Sequence, residues 1–215
     1  MKHLPFALFD MDGTLVDSMT YWRMAHIEGM EAAGYTVTDG MKEALKKVWG
    51  YENLQSLLAN WGIHKTIEKL KEDARRLLCY HYEHDIVLKP GTLALLDEMR
   101  AAGVKMGVLT LTPHALAEIC LAKNGIREYF SCIITTEDNP TGTGKEAPEI
   151  FRVALDALGC EQPQDCAVYE DSFYSIHTAH QMGFYVVGVE DQWQSPKQKE
   201  QMRAICDLVL DLDHQ

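Results

Sequence analysis

Apolar positions along the chain fall into short runs that stop abruptly at polar residues. Phe6-Ala7-Leu8-Phe9 reads as a buried strand, and it ends at two carboxylates one residue apart, Asp10 and Asp12. Val104 to Leu109 is a second run, placed after a helical pattern of Leu93, Leu96 and Met99 that closes at Gly103. Pro113 stands where a first helical turn begins, and Ala115 to Asn124 continues as a helix to Gly125. Cys132 to Thr135 reads as a strand, Pro148 to Leu158 as a helix closed by Gly159, and Cys166 to Tyr169 as a strand. Ser172 to Met182 reads as a helix closed by Gly183, Tyr185 to Val189 as a strand, and Leu208 to Leu210 as a last short strand. This alternation predicts an α/β fold, a parallel sheet covered by helices on both faces.

Residues 19 to about 86 follow a different rhythm. Met, Trp, Leu and charged residues recur at helical spacing without a strand, and Gly34, Gly50 and Gly62 divide the segment into about four helices. The pattern predicts an all-helical insert over 18–86, with linkers near Asp17 and Leu88. The sheet domain then comprises 1–17 and 87–215. Trp22, Trp49 and Trp61 are expected to fill the core of the insert. Glu28, Glu31, Glu43 and Glu68 are expected on its solvated face.

The formal net charge of −12 over 215 residues argues against a nucleic-acid surface, which selects for basic patches. It leaves room for small phosphorylated ligands, since a divalent ion reverses the local sign. The six cysteines form no C-x-x-C pair, so reduced thiols in a cytoplasmic protein are expected. Met1 to Phe9 is too short for a signal peptide. No apolar run approaches the roughly 18 residues that span a bilayer, which predicts no membrane association.

Polar groups follow several of the predicted strands. Asp10 and Asp12 follow the first, Thr110 and Thr112 the second, a Gly-rich loop ending at Lys145 the third, and Glu170-Asp171 the fourth. In open parallel sheets, ligands bind at that edge. Carboxylates without histidine suit a hard ion such as Mg²⁺. A lysine and a threonine hydroxyl suit a phosphoryl group. An aspartate can attack phosphorus, and a second carboxyl can protonate the leaving alcohol. Competing readings do not fit the spacing. An EF-hand needs Gly where Leu15 stands, and a Walker-A loop needs Gly at Asn139 and Ser or Thr at Glu146. Thr112 is expected to cap the helix at Pro113, with phosphate binding as the alternative, and Asp17 to be a structural or capping residue rather than a metal ligand. His114 is expected on a surface helix, with approach to a substrate as the alternative, and His177 and His180 are expected to face solvent or the neighbouring helix.

With these residues in place, the chain resembles the haloacid dehalogenase superfamily of phosphohydrolases. It is most similar to the helical-cap branch that includes phosphoglycolate phosphatases and β-phosphoglucomutases. The DxDGT motif is matched by Asp10-Met11-Asp12-Gly13-Thr14, and the Ser/Thr motif by Thr110, with Leu111 where relatives often carry Asn. The GKPxPxIF-like motif is matched by Gly144 to Phe151, with Glu146 in place of Pro. The EDSxxGI motif is matched by Glu170 to Ile176, with Ser175 in place of Gly.

The resemblance implies a Rossmann-like core with an inserted helical cap that closes over the reaction. It implies a Mg²⁺-dependent phosphatase acting on a small phosphorylated metabolite, as a monomer or small homo-oligomer. Asp10 is then the nucleophile and Asp12 the general acid/base, while Thr110 and Lys145 hold phosphoryl oxygens. Asp10, the Asp12 carbonyl, Glu170 and Asp171 are then the metal site. One alternative is a phosphosugar mutase, but such relatives carry a histidine twelve residues after the nucleophile, where this chain has Trp22. A dehalogenase lacks the second aspartate, and Asp12 is present. A non-catalytic phosphometabolite-binding protein is the remaining alternative.

Overall fold

A computed structural model describes residues 4–48 and 50–212. In chain order, β1 (Phe6–Phe9) leads into four helices: α1 (Met19–Ala32), α2 (Asp39–Lys47), α3 (Tyr51–Ala59) and α4 (Ile67–His84). These are followed by α5 (Thr92–Ala101), β2 (Lys105–Leu109), α6 (His114–Lys123), β3 (Phe130–Ile134) and α7 (Pro148–Leu158). The chain ends with β4 (Cys166–Glu170), α8 (Phe173–Met182), β5 (Tyr185–Val189), α9 (Pro196–Ile205) and β6 (Leu208–Leu210). The chain divides into two compact units, residues 1–17 with 87–215, and residues 18–86. The first is an α/β unit and the second is the inserted helical cap.

Six strands form one sheet in the order β3-β2-β1-β4-β5-β6, and every pair is parallel. Parallel strands need crossover helices, which cover the faces and favour near-continuous apolar strands. Leu8, Ile150, Phe151, Leu158, Val168, Ile176 and Val186 are all buried in one core cluster between sheet and helices. Phe9 stacks on Tyr169 with ring centroids 4.3 Å apart, which ties β1 to β4. The strand order reverses direction between β1 and β4, and that switch point opens a crevice at their carboxyl ends.

The helical unit has its own core of Ile27, Met30, Leu45, Leu54, Leu58 and Leu70. Thr38 and Thr66 accept from the backbone N–H groups of Met41 and Lys69, which caps α2 and α4. Trp61 packs against this core. The indole N–H of Trp22 donates to the Tyr82 hydroxyl at 2.9 Å. Trp49 lies outside the described residues. Glu28 corrects the expectation of a solvated face, because its side chain is only 34% exposed and pairs with His81 at 2.8 Å.

Two further expectations are corrected, and one helix forms where the sequence reading placed none. β3 begins at Phe130 and ends at Ile134, because buried Phe130 pairs with Met106, while Thr135 caps a short 3-10 turn instead. Thr112 is not the N-cap of α6; Pro113 is, and the Thr112 hydroxyl turns to Asp12. Helix α9 (Pro196–Ile205) carries no apolar stripe that sequence periodicity could reveal, since Met202 is its one buried residue. It forms on a capping box between Ser195 and Gln198. His177 and His180 are exposed on α8.

Candidate active site

The acidic residues gather because β1 and β4 are in register. Phe9 pairs with Tyr169, so Asp10 emerges beside Glu170, and the Asp10 N–H donates to the Tyr169 carbonyl at 2.9 Å. Gly13 then turns the chain back with φ of 81°, a conformation that favours glycine, and its N–H donates to the Val16 carbonyl. This turn is why a glycine follows the second acid.

Lys145 is the centre of the site. Its side chain is 2% exposed, and Nζ donates to Asp10 Oδ1 at 2.5 Å, to Glu170 Oε2 at 2.6 Å and to the Leu109 carbonyl at 3.4 Å. It therefore ties the carboxyl ends of β1, β2 and β4 together. Burial alone lowers the Lys145 pKa, but Asp10 and Glu170 outweigh it and hold the ammonium above the usual lysine range. Burial and the nearby Glu170 push Asp10 up to about 8, against the lowering effect of Lys145. Asp171 is also raised well above the ordinary carboxylate value, by burial and then by Asp10 and Glu170.

Asp10, Glu170 and Asp171 each offer a carboxylate oxygen within 4.8 Å of the others, and all three residues are buried. One ammonium among three carboxylates leaves a formal charge of −2. Like charges this close and this dry are unfavourable without a further cation. The all-oxygen donor set fits a hard divalent ion such as Mg²⁺.

Glu170 is the most heavily hydrogen-bonded of the three. Oε1 accepts from the N–H groups of Asp171 at 3.2 Å and Ser172 at 3.0 Å, and Oε2 accepts from Lys145 and from the Ser175 hydroxyl at 2.7 Å. The Ser175 hydroxyl thus has a defined partner at the position where the sequence motif departs from glycine. Thr110 is buried, and its Oγ1 accepts from the Thr112 N–H at 3.1 Å. The Thr112 hydroxyl donates to Asp12 Oδ2 at 2.6 Å, which fixes one carboxylate oxygen and so aims the other. Asp17 stands at the junction of the two units, with its N–H donating to the Val87 carbonyl. His114 opens α6 and is half-buried.

Two supporting groups carried no signal in the sequence. Lys89 and Asp191 form a buried pair at 2.7 Å across 102 residues. Gln194 donates to the Asp171 carbonyl at 2.7 Å and to the Val189 carbonyl at 3.2 Å, which anchors the strand end that presents the acid.

The profile of the haloacid dehalogenase-like hydrolase family matches residues 6–183, which spans every one of these motifs. The chain belongs to this family. It is an enzyme, on the strength of that membership and of the buried acidic cluster. It is 29% identical over 186 residues to validoxylamine A 7'-phosphate phosphatase of Streptomyces hygroscopicus subsp. limoneus, covering 85% of this chain and 84% of that one. It is 25% identical to β-phosphoglucomutase of Bacillus subtilis, over 97% of this chain and 93% of that one. The crystal structure of CbbY from Rhodobacter sphaeroides in complex with phosphate has the same fold. Its TM-score is 0.74 at 23% identity, with 99% of this chain and 96% of that chain covered.

Proposed function

We propose that this enzyme is a Mg²⁺-dependent phosphatase that hydrolyses a small phosphorylated metabolite through an aspartyl-phosphate on Asp10. The bridge of Lys145 between Asp10 and Glu170, with Asp171 in the same 4.8 Å cluster, carries this reading. Asp10 attacks phosphorus, and Asp12 protonates the departing alcohol oxygen. Asp12 then takes a proton from the water that attacks the phosphoryl-enzyme, and Asp10 is released unchanged. General acid–base help of this kind contributes about 10²- to 10⁴-fold. Two easier displacements replace one hard one. Lys145 and Thr110 hold phosphoryl oxygens, and the Lys145 ammonium opposes the rise that burial imposes on the Asp10 carboxyl.

Asp10, Asp171, Glu170 and the Asp12 carbonyl would hold Mg²⁺. Glu170 must exchange one of its four donors to join them. When bound, the ion polarises the phosphoryl oxygens and offsets the excess negative charge. The relatives support the substrate class, since one is named for dephosphorylating a phosphorylated compound and another was crystallised with phosphate. The mutase alternative gains nothing from the structure, because Trp22 holds the relevant position and its N–H is bonded to Tyr82. The test is phosphate release from a panel of small phosphomonoesters. Release that needs Mg²⁺ and falls by about 10³-fold or more in Asp10→Asn is expected. A folded wild-type protein that releases no phosphate from any member contradicts the proposal.

A further inference from the structure

Two of the large exposed apolar side chains of the α/β unit stand at the charged edge itself. Leu111 directly follows Thr110, is 40% exposed, and lies so close to Gly144 that a Cβ there would sit 3.3 Å from Leu111 Cδ2. Tyr174 is 44% exposed and lies in the first turn of α8, between Asp171 and the Ser175 that bonds Glu170. Exposed Leu and Tyr side chains at a mouth whose floor is ionic leave apolar surface open to a ligand.

We infer that Tyr174 and Leu111 select the leaving group, and that the substrate is a phosphomonoester of an uncharged, ring-bearing alcohol. This inference rests on the phosphatase reading above. A tyrosine ring offers a flat apolar face for another ring. A second anionic group on the substrate would stand beside the Asp10, Glu170 and Asp171 cluster, which with Lys145 already carries a formal charge of −2.

The test uses non-hydrolysable phosphonates, so it reads binding and not turnover. Calorimetric titration of the Mg²⁺-loaded wild-type enzyme compares benzylphosphonate, methylphosphonate and phosphonoacetate. The ring compound is expected to bind about tenfold more tightly than methylphosphonate, and phosphonoacetate no more tightly than methylphosphonate. Tyr174→Ala is expected to erase the ring preference while changing methylphosphonate affinity by less than about twofold, which also reports an intact fold. Leu111→Ala is expected to weaken the preference in part. Three outcomes overturn the inference: a ring preference that survives both substitutions, tighter binding of phosphonoacetate than of benzylphosphonate, or no phosphonate binding at all. Phosphate release does not enter this readout, so failure of the hydrolytic reading and failure of the specificity reading remain separate results.

Discussion

Ser175 shows how one hydroxyl can support the reacting groups without touching them. It donates to the same Glu170 oxygen that accepts from Lys145, and both partners are buried. Removing a buried hydrogen bond to a charged group costs about 1.5–3 kcal/mol, because the carboxylate keeps its desolvation penalty. Ser175→Ala is therefore expected to lower the melting temperature and to reduce kcat by about tenfold, with Ser175→Thr partly restoring both. Calorimetry and phosphate release measure the two effects, and wild-type values in the alanine variant would contradict this role. The sequence pattern made Asp10, Lys145, Glu170 and Asp171 visible because each lies within a few residues of a strand end or in a recognisable motif. It hid Thr112 behind Pro113, where a capping role was the simpler expectation. It could not show that Lys89 meets Asp191, because that pair depends on contacts across 102 residues.

At the scale of elements, the helical unit contains two histidines whose pKa values move in opposite directions. His26 on α1 is pushed down to about 4 by burial and by Lys65. Its neutral form is favoured in the fold, so this contribution is lost as pH falls from 6.5 towards 4. His81 on α4 is clamped between Glu28 at 2.8 Å and Asp85 at 2.7 Å. Burial lowers its pKa, but hydrogen bonds to Glu28 and Asp85 outweigh that and hold it above the ordinary 6.5. The His81 contribution is therefore fully present below 6.5 and lost as pH rises through the raised folded value. His81→Gln is expected to melt below the wild type at pH 6, with the gap closing towards pH 9. An equal gap at both pH values, measured by thermal unfolding, contradicts the clamp. The insert was legible as helices because glycines punctuate it and no strand interrupts its periodicity. Helix α9 was not legible, since it opens on a capping box and buries a single methionine rather than an apolar face.

For the whole molecule, two independent cores separate the tasks. The α/β unit alone supplies Asp10, Asp12, Thr110, Lys145, Glu170 and Asp171, and the parallel sheet delivers them to one edge from segments distant in sequence. The net charge of −12 shows how unusual that edge is, because Lys145 is one of two buried cations among the described residues and lies among its acids. The described helices include none long and apolar enough to cross a membrane. In the mechanism proposed above, Asp10 carries the phosphoryl group during turnover. Borohydride reduces an acyl phosphate on aspartate to homoserine, so the claim can be read directly by peptide mass spectrometry. Enzyme quenched during Mg²⁺-dependent turnover of p-nitrophenyl phosphate and then reduced is expected to carry homoserine at position 10. The signal should be absent without substrate and absent in Asp10→Asn. Sustained phosphate release with no homoserine at position 10 would contradict the account.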